Sequence, residues 1–279
     1  MVMKLPMPAV DNVQLVTDIV AERANGVNAT FFKDIKDEWR ERVRQYIEAA
    51  GLPPTVTTWA AIQPRATSFL NLYLSPAENS VQRPLLKSMR DNDLSICPAC
   101  GESGRPNTLD HYLPKQLYPH FSVTPVNLFP MCDACQNAKL DKVGNAQTPR
   151  FFIHPYFDTF VAAQVLHLEI QAPFNAPTFT LGVVDGLSPS ETNLVRTHLR
   201  ELGIEKRYAK FFRNEHRRLL RSVDHSRTTG QDVQQVLALF RYRVEEPSLN
   251  GWEHVFYGAV LDNPDFIDYL TNAELPSYL

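Results

Sequence analysis

Cys97-Pro98-Ala99-Cys100-Gly101, Leu109-Asp110-His111-Tyr112-Leu113-Pro114, Asn127-Leu128 and Cys132-Asp133-Ala134-Cys135-Gln136-Asn137-Ala138-Lys139 follow one another within residues 97–139 and contain every cysteine of the chain. Two thiolates separated by two residues curl round one metal ion in a turn. A second such pair completes the tetrahedral S4 set that zinc prefers, with Zn–S distances of ~2.3 Å. Such a set leaves no coordination position open for water, so the zinc expected on Cys97, Cys100, Cys132 and Cys135 is structural. One pair alone would fit two buried small side chains or a redox couple equally well. Two pairs with no spare cysteine point to metal.

Disulfides between these cysteines would require an oxidising compartment. The start, Met1-Val2-Met3-Lys4-Leu5-Pro6, has no charged segment followed by an apolar run, and no stretch of about 18 apolar residues occurs. The expectation is a cytoplasmic protein with reduced thiols and no membrane association.

Outward from the cysteines, 279 residues of which 44% are hydrophobic can bury one good core or a small insert with helical flanks. The expected class is α+β, with mostly helical lobes flanking a small zinc-stapled module and a short β-hairpin after it. The boundaries expected are 1–94, 95–145 and 146–279. A net charge of −3 and a pI near 6.2 exclude a uniformly basic domain that binds nucleic acid by its overall field. Any nucleic-acid contact must be local or assisted by a partner.

Apolar residues recur at helical spacing from Asp11 to Ala24 and from Thr30 to Ala50, where Gly51-Leu52-Pro53-Pro54 stops the second helix. Helices are also expected around Pro64 to Leu74 and Ser80 to Arg90. Val165 to Gln171 and Thr178 to Asp185 alternate apolar and polar residues, as half-buried strands do. Ser188-Pro189-Ser190-Glu191 reads as an N-cap, a proline at the first helical position and the glutamate of a capping box. Helical patterns follow from Glu205 to Val223, Gly230 to Val244, Gly251 to Val260 and Asp265 to Leu270.

The stretch from Ile96 to Gly144, about a sixth of the chain, resembles the HNH endonuclease family, whose ββα-metal core is often held by paired CxxC knuckles. The resemblance rests on Cys97-x-x-Cys100-Gly101, Asp110-His111 with Pro114 beyond, Asn127-Leu128, and Cys132-x-x-Cys135 followed by Gln136, Asn137 and Lys139. It implies that Asp110 binds a catalytic Mg2+ or Mn2+, that His111 deprotonates the attacking water, and that Asn127 holds His111 in register. It also departs from the family, which usually places His or Asn directly after the fourth cysteine. Here Gln136 holds that position, while Asn137 has the usual chemistry but lies about 100° round a helix. Either amide oxygen can serve the metal. Lys115 and Lys139 are the cations expected at a phosphate.

Outside the module, His154 is a further candidate for the site, set against a histidine that packs the core. Arg207, Lys210, Arg213, Arg217 and Arg221 recur every three or four residues. One helix face could thus neutralise a run of phosphates, or simply be solvated.

The resemblance implies a metal-dependent phosphodiesterase acting on DNA. In layout the chain also resembles HNH proteins of bacterial phage-defence operons of the Septu type, which implies a protein partner such as an ATPase. RNA is an alternative substrate. A zinc-stabilised binding module for nucleic acid or protein without catalysis, favoured by Gln136, and a cysteine-based oxidoreductase are alternatives of other classes.

Overall fold

The helical periodicities become helices at the places read from the sequence. The computed structural model describes residues 2–276 and is α+β. Its helices among the described residues are α1 (Asn12–Glu22), α2 (Ala29–Glu48), α3 (Ala66–Leu74), α4 (Gln82–Arg90), α5 (Asp133–Lys139), α6 (Pro189–Glu201), α7 (Ile204–Thr228), α8 (Val233–Arg243), α9 (Trp252–Leu261) and α10 (Pro264–Asn272). Strands β1 (Thr108–His111) and β2 (Leu128–Met131) form one antiparallel pair, and β3 (Leu166–Gln171) and β4 (Thr178–Val183) another. None of these helices is long and apolar enough to cross a membrane.

The local signals act as expected. Ser188 Oγ accepts from Glu191 N at 3.3 Å while Glu191 Oε2 accepts from Ser188 N at 2.9 Å, closing the capping box of α6. Along β3, Leu166, Leu168 and Ile170 are buried while His167, Glu169 and Gln171 are exposed. In α7, Tyr208, Phe212 and Leu219 are buried.

The chain divides into two compact units. One comprises Lys4–Leu94 and Arg105–Asp158; the other comprises Met1–Met3, Ser95–Gly104 and Thr159–Leu279. The backbone of residues 109–127, buried except at 115–117, must find hydrogen-bond partners. Helices α2 and α3 supply them. Trp39 Nε1 donates to His120 O at 2.7 Å and Tyr73 Oη to Leu109 O at 2.6 Å, while Ser122 Oγ of the loop donates in return to Phe69 O of α3 at 2.9 Å. The rings of Phe32, Trp39 and Phe69 meet at 5.0–5.7 Å and form the core beneath this loop.

In the other unit the first cysteine pair is anchored instead to the C-terminal helices. Trp252 Nε1 donates to Cys100 O at 2.5 Å, and His198 Nε2 donates to Ala99 O at 2.7 Å. Gly101 has φ +80°, and a Cβ there would lie 2.4 Å from Asn250 O, so this turn needs glycine. Asn250 is itself a buried brace, accepting from Val165 N at 2.7 Å and Leu166 N at 3.1 Å.

Candidate functional site

Strand β1 pairs with β2 so that Asp110 faces Phe129 and His111 faces Leu128, and α5 follows directly after β2. Asp133 in the first turn of α5 and Lys139 in its last suit the helix dipole. Successive strand residues point to opposite faces, but His111 is the last residue of β1. Asp110 and His111 therefore line one cavity of about 490 Å³, together with Pro114, Lys115, Gln136 and Asn137.

His111 is 2% exposed, and Tyr73 meets its ring edge-on at 4.5 Å. Its Nε2 lies 2.9 Å from Ser122 O. A carbonyl oxygen only accepts, so Nε2 carries the hydrogen and Nδ1 keeps a lone pair. Burial, reinforced by the positive charge of Lys115, pushes the imidazole down to about 3, with Asp110 pulling the other way. His111 is thus neutral at physiological pH, the form that can accept a proton.

Asp110 is nearly buried, and its two oxygens are treated differently. Oδ1 receives Gln136 Nε2 at 3.4 Å, while Oδ2 lies 3.1 Å from Lys139 Nζ without a hydrogen-bonding angle to any partner among the described residues. Lys139, expected at a phosphate, is instead fully buried, and its ammonium donates to His111 O at 2.6 Å. It neutralises Asp110 and holds the end of β1, because a buried cation must be paired to be tolerated. Lys115 is half-exposed and lies in the cavity wall, its Nζ 5.8 Å from the centre of the Tyr73 ring. Asn137 is exposed and lines the same cavity as Gln136.

Asn127 is buried and reaches the two residues that follow His111. Its Oδ1 accepts from Leu113 N at 2.8 Å, its Nδ2 donates to Leu113 O at 3.0 Å, and its own carbonyl accepts from Tyr112 N at 2.8 Å. His154, the further candidate, does not line the cavity. Its Nδ1 accepts from Tyr156 N at 3.2 Å, so Nε2 bears the hydrogen and donates to Tyr46 Oη at 3.0 Å, which in turn donates to Asn127 Oδ1 at 3.0 Å. Gly51, at φ +67°, leaves the room this needs, since a Cβ there would lie 2.9 Å from Tyr46 Oη. Tyr46 and Tyr73 carry no sequence signal, being buried aromatics of ordinary helices. Asp141 and Gln116 also line the cavity, and Asp141, two residues beyond Lys139, could have been found from its spacing.

The cavity is lined by the carboxylate of Asp110, whose Oδ2 has no hydrogen-bond partner among the described residues, and by the amides of Gln136 and Asn137. These are hard oxygen donors of the kind that suit Mg2+ or Mn2+. The ligand atoms of the four cysteines all lie within 4.8 Å of one another, and none is in a disulfide. A tetrahedron with Zn–S of ~2.3 Å has edges of ~3.8 Å, so the cluster could hold a zinc ion. Arg207, expected in a phosphate-binding stripe, is half-buried. Its Nη1 lies 3.7 Å from Cys100 Sγ and 2.7 Å from Glu102 Oε2, which turns it toward the thiol cluster. Lys210, Arg213, Arg217 and Arg221 are exposed along α7.

No family model and no solved structure matches the chain. Over 62 residues the chain is 42% identical to Protein ea31 of Escherichia phage lambda, a stretch that covers 22% of this chain and 21% of that protein.

Proposed function

We propose that this protein is a metal-dependent phosphodiesterase of the HNH type, stapled by a structural zinc and cutting DNA. The observation that carries this reading is one cavity lined by Asp110, a neutral His111 of fixed tautomer, two amides and Lys115. With Nε2 engaged by Ser122 O, Nδ1 of His111 is the atom that takes a proton from water. Water oxygen bonds to phosphorus as the P–O3′ bond breaks, leaving a 5′-phosphate and a 3′-hydroxyl. The charge of Asp110 favours the imidazolium that forms, while burial and Lys115 oppose it, so the proton is passed on rather than kept. Asp110 with Gln136 or Asn137 would hold a divalent ion, which when bound supplies positive charge to the scissile phosphate and the leaving oxygen. Asn127 fixes the backbone beyond His111, and Lys139 sets Asp110 from within. An anti-phage role with an ATPase partner, in the cytoplasm, fits the helical lobes and near-neutral charge of this reading.

One observation favours a second reading, a zinc-stabilised module without catalysis: Lys139 already neutralises Asp110. Supercoiled plasmid, single-stranded DNA and RNA, each with Mg2+ or Mn2+, separate the readings. The nuclease reading expects nicked or linear DNA whose ends religate without prior phosphorylation. RNA cut faster than DNA would reassign the substrate, and intact substrates throughout would favour the binding module.

A further inference from the structure

Helices α7, α8 and α9 enclose a cleft of about 530 Å³ that takes no part in the proposed reaction. Glu215 at its floor is 5% exposed and fully engaged. It accepts from Tyr257 Oη at 2.7 Å and from Arg218 Nη1 at 3.2 Å, so this charge is matched internally. Arg221 of α7 and Arg243 of α8 also line the cleft. Both are exposed, and neither has a hydrogen bond or ion pair to another described residue. Glu253 of α9 also lines the cleft, half-buried, its carboxyl held above the usual range by burial and then by the charge of Glu215. Phe240 and Val244 complete the wall with apolar surface.

We propose that this cleft binds a nucleotide, its phosphate on Arg221 and Arg243 and its base against Phe240 and Val244. Guanidinium forks match phosphate oxygens in pairs, which the point charge of lysine does not. A planar base covers the apolar wall, and the carboxyl of Glu253 accepts a hydrogen bond from a base N–H. The volume lies in the range of sites for small ligands. A free nucleotide and one nucleotide of a single strand offer the same chemistry. None of the residues that line the cavity of Asp110 and His111 lines this cleft.

The test is anisotropy of methylanthraniloyl-labelled AMP and of fluorescein-labelled dT12 on the full zinc-loaded chain in the His111→Ala background, which prevents cleavage of the strand. Arg243→Ala and Arg221→Ala each change an exposed, unpaired side chain, and each is expected to weaken binding about tenfold, as the loss of one charge-assisted contact does. Lys210→Ala, outside the cleft, is expected to leave binding of the AMP probe unchanged. Saturable AMP binding that Arg243→Ala weakens identifies a free-nucleotide site. Binding of dT12 alone, weakened by the same variant, identifies a strand-binding site. If neither probe saturates, or if Arg243→Ala binds both probes like the parent, the proposal is overturned.

Discussion

Replacing Tyr46 by Phe removes a single oxygen from the interior of the unit that carries Asp110 and His111. That oxygen accepts from His154 Nε2 and donates to Asn127 Oδ1, both at 3.0 Å, in a fully buried setting. The phenylalanine leaves the Nε2–H of His154 without an acceptor, which costs ~1–3 kcal/mol. Asn127 Oδ1 keeps Leu113 N at 2.8 Å and loses only the second bond, worth ~1 kcal/mol net. The expected loss is ~2–4 kcal/mol, read by urea unfolding of the zinc-loaded protein followed by tryptophan fluorescence. Adding His154→Leu removes the orphaned N–H together with the ring. The double variant should therefore be more stable than the two single losses added together, by at least ~1 kcal/mol. A Tyr46→Phe protein within ~0.5 kcal/mol of wild type, or strictly additive losses, would refute the directed chain from His154 to Asn127.

Lys139→Met strands the carboxylate of Asp110 and takes the donor from His111 O, so a loss of ~3 kcal/mol is expected in the same assay; an unchanged midpoint would show that the pair does not exist in solution. Burial pushes His120 down to about 3 and His154 well below 6.5, so both are neutral when folded, whereas the unfolded chain takes up a proton near pH 6.5 at each. The unfolded state then binds more protons, so stability is full above pH 6.5. It falls as the pH drops toward the folded value of each, by ~1.4 kcal/mol per pH unit per histidine. Neither ring nitrogen of His120 has a hydrogen-bond partner among the described residues; His120→Phe is accordingly expected to flatten the slope by one proton, and an unchanged slope would count against its buried neutral state. Arg207→Ala removes the donor to Cys100 Sγ and the partner of Glu102, and zinc transfer to a chromophoric chelator should quicken tenfold or more; transfer at the wild-type rate would remove Arg207 from the zinc account.

Much of the fold was legible because its signals are local. The periodicity of α2, the capping box at Ser188 and the alternation of β3 each involve residues a few positions apart, and each appears where it was read. Asp110, His111, Gln136 and Asn137 were named from the resemblance to the HNH family, and they line one cavity. What could not be read is whatever depends on burial between distant segments. Tyr46 meets Asn127 across 81 residues and His154 across 108, and nothing about a tyrosine in an amphipathic helix announces a hydroxyl reserved for a remote partner. Lys139 was assigned to a phosphate from the family's lysine, and Arg207 to a helix face that either meets phosphates or is solvated. In this fold Lys139 meets Asp110, and Arg207 meets Glu102 and a cysteine sulfur.

The most direct measurement is the single-turnover rate of plasmid cleavage by wild type, His111→Ala and Asp110→Asn in Mg2+ or Mn2+, with zinc content and folding verified for each. A general base and a metal ligand acting as described require a rate at least ~100-fold lower in both variants, and no cutting by wild type when the divalent ion is withheld. Cleavage by His111→Ala at the wild-type rate, or cleavage by wild type that does not depend on the added ion, would contradict the assignment of this cavity as a nuclease site.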